Sequence, residues 1–359
     1  MTQGPKDQNH EHHPHAFPEA IILHHGRSLF SAMTRWKQNH RIPPVLLLTG
    51  QSGIGKKAMA RKVAQWLLCD TPLTGDHPSA CQACPSCQSF LARQHTAYTE
   101  INPDEDSESL KIEQFRELKS TVGFGTYQHH TRVILIAQAE RMTPQAANSM
   151  LKLLEETPSG WQFLLTTHDS TLLLPTLVSR CQTVKLKPLP VNEIQELLIE
   201  RGLDSVRAQV CAELSQGSWD RALRLGQDEF WEKRKEVIKF LDSPHLQMNS
   251  LLDWATQKPS HFETLVDLLE QLTVDLLNWS SHVPLPTPEH YPWKARDAGR
   301  ELSAHARSQT QRQGSPAMAR QFWLDRAERL AQSRHEAHLP VNRKALAQDV
   351  LFPWMGVRI

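Results

Sequence analysis

A glycine-rich loop followed by two lysines is the part of the sequence best suited to chemistry. Gly50, Gly53, Gly55 and Lys56 fill the frame G-x-x-x-x-G-K within VLLLTGQSGIGKK. The backbone N–H groups of such a loop, together with the positive end of the helix that follows, attract phosphate. A nucleotide-binding loop continues with Ser or Thr, whose hydroxyl ligates magnesium, but here the next residue is Lys57. Two interpretations stay open: a glycine turn without a ligand, and a phosphate site without proper metal control.

Four cysteines form a second candidate site. Cys69, Cys81, Cys84 and Cys87 fall within nineteen residues, and the last three have C-x-x-C-x-x-C spacing. We expect a reducing compartment, in which clustered thiolates bind metal and do not form disulfides. Four thiolates complete the closed tetrahedral set of a structural zinc ion. The two remaining cysteines stand apart and are interpreted as small buried residues.

The end of an apolar strand at 132–137, RVILIA, is a third position of interest. In a nucleotide hydrolase of this kind, the strand ends in an acidic pair. An Asp holds the magnesium shell, and a Glu polarises the attacking water. Here the two positions are Ala137 and Gln138, and neither side chain can do that work.

Hydrophobic patterning predicts the elements that must position these residues. Helices are expected at 21–41, 58–68 and 110–119, and a further one begins after Thr143, which is suited to be its N-cap. Strands alternating with helices at this spacing predict a parallel α/β sheet covered on both faces. The expected strands are 45–49, 98–102, 132–137, 161–167 and 183–186.

The strand pattern disappears after residue 190. Three short helices are predicted, followed by a helical region from about residue 230 with a polar break near 307–315. The predicted parts are a His-rich disordered tail at 1–20 that carries His10, His12, His13 and His15, an α/β domain at 21–187 with the cysteine module at about 69–90, a three-helix bundle at 188–228 and an all-α domain at 229–359.

Bulk properties limit the classes of partner. The 359 residues include 40 basic and 39 acidic side chains, so a net charge of +1 gives no general attraction to nucleic acid or membrane. No apolar stretch approaches the roughly 20 residues of a membrane span. We therefore expect a soluble cytoplasmic protein whose polyanion contacts, if it makes any, come from local patches.

Taken in order, these features resemble one family over nearly all of the chain after the tail. The glycine loop GQSGIGKK, the cysteine module, AERMTPQAANSMLKLLEETP, FLLTT, the tripeptide SRC at 179–181 and NRKALAQDVL look like the clamp-loader subunits of bacterial DNA polymerase III. The resemblance implies an AAA+ P-loop domain with an inserted zinc module held by the four cysteines, a three-helix lid and a C-terminal collar domain.

The resemblance also implies a role and partners. Subunits of this family form a ring of five that opens a sliding clamp and places it on primed DNA. Motor subunits bind and hydrolyse ATP, whereas a stator subunit presents an arginine finger to its neighbour's nucleotide, and Arg180 in SRC matches that arginine. A fixed guanidinium stabilises charge that develops on a transferred phosphoryl group. An intramolecular salt bridge is the alternative role for Arg180.

Departures from the family pattern favour the non-hydrolysing stator. Besides Lys57 and the missing acidic pair, Asp220 stands where motor subunits have a sensing arginine, and Arg221 is displaced from that position by one residue. Thr167 occupies the position of a first sensor but is also an ordinary strand residue. ATP binding is therefore doubtful. The alternatives are an ATP-hydrolysing motor subunit of the same loader and a stand-alone nucleic-acid-binding protein with a zinc element.

Overall fold

The structure is a computed structural model of the chain. It describes residues 18–39, 41–73, 78–104, 107, 109–122, 131–155, 160–242, 244–281, 299–336 and 342–355. The four histidines of the predicted tail lie outside the described residues. The chain divides into two compact units, one made of Met1–Pro190 with Gly217–Asp220 and the other of Val191–Gln216 with Arg221–Ile359.

Strands and helices alternate in the first unit, which confirms the predicted α/β class. Thr143 caps the helix that follows it, because its side-chain oxygen accepts a hydrogen bond of 3.2 Å from the N–H of Ala146. The elements in chain order are α1 (Glu19–Gln38), β1 (Val45–Thr49), α2 (Lys56–Leu68), α3 (Pro85–Leu91), β2 (Tyr98–Ile101), α4 (Ile112–Val122), β3 (Arg132–Ile136), α5 (Pro144–Glu155), β4 (Trp161–Thr167), α6 (Pro175–Val178) and β5 (Gln182–Lys185).

The five strands form one parallel sheet in the order β2-β3-β4-β1-β5. In this register Leu47 of β1 lies opposite Leu165 of β4 on one side and Thr183 of β5 on the other. The carboxyl ends of parallel strands meet at one edge of the sheet, where α/β proteins bind their ligands. The segments that follow β1, β2, β3 and β4 therefore share this edge.

Both faces of the sheet are covered, which explains why its central strands are continuously apolar. Leu46 and Leu48 pack on one side with Val63 and Trp66 of α2. The alternate residues of the same strand, Val45 and Leu47, pack on the other side with residues of α4 and α5. Because α2 is held against the sheet by this core, its N-terminus is fixed close to the glycine loop.

The described part of the second unit is helical. Its elements are α7 (Val191–Glu200), α8 (Ser205–Leu214), α9 (Trp219–Leu225), whose first two residues belong to the first unit, α10 (Asp228–Asp242), α11 (Pro244–Gln257), α12 (Pro259–Ser280), α13 (Gly299–Gln313), α14 (Pro316–Glu336) and α15 (Arg343–Leu351). Among the described residues, none of the helices combines the length and the apolar character that crossing a membrane requires.

The break predicted near 307–315 is present but shorter: α13 continues to Gln313, and Gly314, whose φ is +81°, and Ser315 separate it from α14. The buried stripe of this helix is narrow and partly polar, with Leu302 and Ala306 beside the polar residues Ser303 and Gln309. A pattern search that counts only apolar residues therefore misses it.

Candidate functional site

The glycine loop joins β1 to α2 and uses backbone conformations that favour glycine. Gly50, Gly53 and Gly55 have φ values of +146°, +76° and +94°. A Cβ on Gly50 would lie 2.7 Å from the carbonyl oxygen of Leu186, and one on Gly53 would collide with the side chain of Ser218. The loop is thus closely packed on its neighbours, and its glycines are needed for the fold whether or not a ligand binds.

Lys56 folds back onto the loop that precedes it. Its ammonium donates hydrogen bonds of 2.7 Å and 2.8 Å to the carbonyl oxygens of Gly50 and Gln51. Burial lowers the pKa of Lys56 to about 8, although the charges of Glu140 and Asp220 act to raise it. In this arrangement the cation binds the loop's own carbonyl groups.

Asp220 closes the loop from another side. Its backbone N–H donates a hydrogen bond of 3.2 Å to the carbonyl oxygen of Gly53, next to Ser218. Arg221, the neighbouring residue in sequence, forms an ion pair of 3.0 Å with Asp267 of α12. Asp220 is therefore bound to the loop by its backbone, and Arg221 is paired with a helix of the second unit.

Lys57 contacts the segment that follows β2. Its ammonium donates a hydrogen bond of 2.6 Å to Asn102 Oδ1 and lies 3.0 Å from Glu100 Oε1. At the position of a metal-ligating hydroxyl, this chain therefore holds a cation that is anchored by a carboxylate. A magnesium ion at this point would be repelled by the ammonium.

Glu100 is a site residue that sequence reasoning missed. Arg61 donates two hydrogen bonds of 2.7 Å to its carboxylate, and the Tyr98 hydroxyl donates one of 2.8 Å. Burial alone would raise the pKa of Glu100, but the hydrogen bonds from Arg61, Lys57 and Tyr98 outweigh burial and lower the pKa to about 2. The only sequence signal is one acidic residue inside a short strand, which is weak evidence.

The segment after β3 carries the two residues that replace the acidic pair. Ala137 is buried, and Gln138 adopts a left-handed conformation with a φ of +54°. The N–H of Gln138 donates a hydrogen bond of 3.0 Å to Thr166 Oγ1. The hydroxyl of Thr167, the candidate first sensor, donates to the carbonyl oxygen of Asp169 at 2.8 Å.

Glu140, two residues further on, is a second residue that sequence reasoning missed. Its side chain is only 6% exposed, and one carboxylate oxygen lies 2.5 Å from Nδ1 of His168. Burial alone would raise the pKa of this carboxyl, but the hydrogen bond from His168 helps to lower it. The site thus holds a buried negative charge near Lys56, at a position different from those of the family's acidic pair.

Arg180 lies two residues after the short helix α6 and is partly exposed. Its guanidinium donates hydrogen bonds of 2.9 Å to Glu155 Oε1 and to the carbonyl oxygen of Thr176. Neither partner belongs to the glycine loop. Within this chain Arg180 therefore forms the intramolecular salt bridge that sequence analysis gave as its alternative role, while 43% of its side chain remains exposed.

The four clustered cysteines come together as the sequence predicts. The sulfur atoms of Cys69, Cys81, Cys84 and Cys87 all lie within 4.8 Å of one another. Two pairs are separated by 3.9 Å and 4.0 Å. Neighbouring sulfurs in a tetrahedral zinc–thiolate site lie about 3.8 Å apart, as follows from a Zn–S bond of about 2.3 Å. The cluster could hold a metal ion.

Backbone N–H groups point at three of these sulfurs. The N–H groups of Cys81, Cys84 and Cys87 each donate at 3.3 Å, to the sulfurs of Cys69, Cys81 and Cys84 respectively. Such donors stabilise negative charge on a thiolate. A hydrogen bond with Thr71 and the N–H group of Cys84 lower the pKa of Cys81 to about 6, whereas burial raises the pKa values of Cys69 and Cys87.

A buried hydrogen-bond chain joins the cysteine module to α2. The Ser86 hydroxyl donates to the carbonyl oxygen of Leu68 at 2.6 Å and lies 2.8 Å from His95 Nε2. His95 Nδ1 accepts a hydrogen bond of 3.2 Å from the N–H of Ala97. Because Nδ1 is an acceptor, a neutral His95 carries its proton on Nε2 and donates it to Ser86. The module is therefore attached to the sheet unit by more than its own cysteines.

Comparison with known proteins finds similarity to subunits of one bacterial polymerase. A family model described as "DNA polymerase III, delta subunit" matches residues 26–190. DNA polymerase III subunit delta' of Pseudomonas aeruginosa is 35% identical over 196 residues, which are 54% of this chain and 58% of that protein. The same subunit of Yersinia pestis is 28% identical over 319 residues, 86% of this chain and 88% of that protein.

A related subunit with a different name also matches. DNA polymerase III subunit tau of Escherichia coli is 29% identical over 185 residues, 52% of this chain and 27% of that protein. The chain thus covers less than two thirds of the Pseudomonas aeruginosa and Escherichia coli relatives. Residues 26–190, which the family model matches, contain the sheet, the glycine loop and the cysteine module. The chain is therefore similar to the delta' subunits of DNA polymerase III, and residues 26–190 carry the match to the family model.

Proposed function

We propose that this chain is a non-hydrolysing, delta'-type subunit of the DNA polymerase III clamp loader. In this role it acts with a motor ATPase subunit and a delta-type subunit in the cytoplasm, where the assembled ring opens a sliding clamp and loads it on primed DNA. This chain acts as a rigid subunit that supplies an arginine, and the motor subunits hydrolyse ATP.

The state of the glycine loop is the observation that carries this proposal. Lys56, which would contact the phosphates of a nucleotide, donates to Gly50 and Gln51 within its own loop. Asp220 is hydrogen-bonded to Gly53, and Lys57 brings an ammonium to the position of the metal-ligating hydroxyl. Each of these contacts opposes the binding of a magnesium nucleotide, so together they support a subunit that does not hydrolyse ATP.

Arg180 is proposed to act in trans. It is exposed on one side, and its carboxylate partner Glu155 is itself 56% exposed. An exposed ion pair of this kind is worth about 0–1 kcal/mol, so a neighbouring subunit's phosphate could take the guanidinium from Glu155 at little cost. This supports the role of an arginine finger for a motor subunit.

The cysteine cluster is proposed to hold a structural Zn²⁺ ion. Four sulfur ligands leave no coordination position for a catalytic water, and the sulfur spacing described above fits zinc. The ion would stabilise the module formed by residues 69–91, which is attached to α2 through Ser86. The chain's own contribution is to orient the thiolates with backbone N–H groups.

A motor subunit of the same loader is the second candidate. The intact glycine frame favours it, and so does the match to a tau subunit. Tight, magnesium-dependent ATP binding with turnover by the isolated chain would distinguish a motor from a stator.

The test is equilibrium binding of a fluorescent ATP analogue to the purified chain with magnesium, followed by phosphate release from the same sample. Weak or absent binding without phosphate release is expected. Lys56→Ala serves as the matched variant, and it should change little, because in this chain Lys56 bonds to its own loop. Turnover that disappears in Lys56→Ala would overturn the proposal and establish the motor.

A further inference from the structure

A segment from later in the chain packs on the glycine loop. The segment is Gly217–Asp220, which belongs to the first unit although its neighbours in sequence belong to the second. The N–H of Asp220 donates a hydrogen bond of 3.2 Å to the carbonyl oxygen of Gly53. Asp220 Oδ2 lies 3.5 Å from the position that a Cβ on Gly53 would take. The Asp220 carboxylate therefore lies directly against the glycine loop.

Glu140 brings a second carboxylate to the same site. Its side chain is 6% exposed, and Oε1 lies 2.5 Å from Nδ1 of His168. Oε2 is buried and accepts no hydrogen bond from any residue in the described part of the chain. A buried carboxylate oxygen without a donor is costly unless a positive charge lies nearby. The position of Glu140 therefore requires a cation in its surroundings.

Lys56 supplies that cation. Burial lowers the pKa of Lys56, and the negative charges of Glu140 and Asp220 both oppose this effect. The ammonium has three N–H donors, and its hydrogen bonds to the carbonyl oxygens of Gly50 and Gln51 use two of them. These carbonyl groups carry no net charge. The charge of the ammonium is therefore balanced by carboxylates of the chain itself.

A metal ion explains the two carboxylates less well than the lysine does. Within the described ranges, the one converging group of three or more Cys, His, Asp or Glu ligands is the cysteine cluster. The ammonium of Lys56, which interacts with both Glu140 and Asp220, would also repel a metal ion placed between them. The carboxylates are therefore interpreted as partners of the lysine.

We propose that Glu140 and Asp220 act as internal counter-anions of Lys56 and thereby close the glycine loop to phosphate. In a nucleotide-binding loop, the lysine contacts the phosphates of the ligand. In this chain two carboxylates supply the negative charge, and a phosphate entering the loop would be repelled by them. This closure rests on the proposed function, in which the loop holds no nucleotide. Neutralising the two carboxylates should open the loop to anions.

The experiment is isothermal titration calorimetry of the full chain with sodium tripolyphosphate, in low-salt buffer containing EDTA. Wild-type protein should bind weakly or not at all. Glu140→Gln and Asp220→Asn should each strengthen binding by at least about 10-fold, because each removes a negative charge from the surroundings of the phosphate. The double variant should bind more tightly than either single variant.

Two further variants test whether the gain in affinity belongs to the glycine loop. Adding Lys56→Gln to the double variant should abolish the gain, because Lys56 is the cation that the carboxylates release. Glu113→Gln combined with Asp228→Asn changes the net charge by the same amount. The side chains of Glu113 and Asp228 are 65% and 89% exposed and pair with exposed arginines, so this control should bind as wild type does.

Thermal melting should show that the variants fold. If Glu140→Gln does not fold, Asp220→Asn still tests the proposal, because residue 220 contacts Gly53 through its backbone N–H and keeps that hydrogen bond. A folded variant is therefore available for the titration in either case.

The proposal would be overturned by tight tripolyphosphate binding to the wild-type chain, or by folded variants that gain no affinity. A gain that survives Lys56→Gln, or an equal gain in the control with two exposed substitutions, would overturn it as well. Magnesium-dependent ATP turnover by the wild-type chain would contradict the proposed function itself. A wild-type chain without ATP turnover whose variants also fail to bind would leave the non-hydrolysing role intact and reject only the closure by the two carboxylates.

Discussion

The Arg180 guanidinium donates a hydrogen bond of 2.9 Å to the carboxylate of Glu155, and both side chains are partly exposed. The pair lies in solvent, so it adds little to the stability of the chain. It also leaves the guanidinium partly exposed at the surface. A residue held in this way can exchange its partner when a phosphate approaches.

Arg180→Ala is expected to leave the melting temperature nearly unchanged, with a loss of stability below about 1 kcal/mol. In a reconstituted clamp loader it should lower ATP turnover by about 10³-fold or more, because an arginine finger has an effect of that size. Both quantities are measured on the same preparation.

The matched control for this variant is Glu155→Gln, which removes the ion pair but keeps the guanidinium. It should retain turnover. Equal losses of turnover in the two variants would show that turnover depends on the ion pair and not on an arginine finger. Unchanged turnover in Arg180→Ala would also contradict the arginine finger.

Local patterns predicted most of the sheet unit. The strands at 45–49 and 161–167 have the bounds that the sequence predicts, because the first lies between Pro44 and Gly50 and the second begins after Gly160. The four cysteines could be predicted as one cluster because they lie in a single short module. Sequence reasoning succeeded where a side chain's partners lie within a few residues of it.

Other contacts could not be predicted because they join distant segments. Arg334 and Asp267 are 67 residues apart in sequence yet lie 2.5 Å apart in the second unit. The glycine motif specifies a lysine at position 56, but it does not specify that the ammonium binds Gly50. Which acceptor a side chain binds depends on the distances between groups in the folded chain. A single sequence does not give those distances.

Metal content gives the second prediction. The purified chain should contain one zinc ion, Cys84→Ser should lose it, and Cys181→Ser should keep it, because Cys181 lies outside the cluster and contacts Leu177. Elemental analysis measures this directly. On chelation, hydrogen exchange should accelerate in residues 69–91 and stay slow in β1 and β4. Equal acceleration of hydrogen exchange in β1 and β4 would contradict the prediction that the sheet is stable without the zinc ion.

Glu100 gives a pH-dependent prediction. Its folded-state pKa of about 2 lies below the ordinary value of 4.5, so the carboxylate stabilises the fold fully above pH 4.5 and progressively less as the pH falls towards 2. The shift corresponds to about 3 kcal/mol at most. Glu100→Gln should remove this contribution, so the difference between wild type and variant should shrink as the pH falls from 6 to 3.

Native-state hydrogen exchange of β2 and β3 amides measures this difference within the sheet unit. Asp104→Asn is the control, because its pair with Lys111 is more exposed, and it should change the opening free energy by less than about 1 kcal/mol. A constant difference between wild type and Glu100→Gln over this pH range would show that the carboxylate is not specially stabilised.

Asp267 gives the last prediction, for the helical unit. This carboxylate is 6% exposed and pairs with Arg221 at 3.0 Å and with Arg334 at 2.5 Å. Arg334 also has Glu270 as a partner, so Asp267→Asn mainly affects the buried Arg221, which loses the carboxylate of this ion pair. Breaking a buried pair from one side costs about 3–5 kcal/mol, and because Arg334 keeps Glu270, we expect a loss near 3 kcal/mol.

Hydrogen exchange in α12 and α14 should report that loss, while the amides of β1 keep their protection. Glu263→Gln is the control, since its pair with Arg224 spans 4.0 Å between two exposed side chains and should matter by less than about 1 kcal/mol. Similar effects of the two substitutions would mean that water reaches Arg221 and solvates its charge. A large loss for Asp267→Asn alone would show that the buried ion pair between Asp267 and Arg221 stabilises the helical unit.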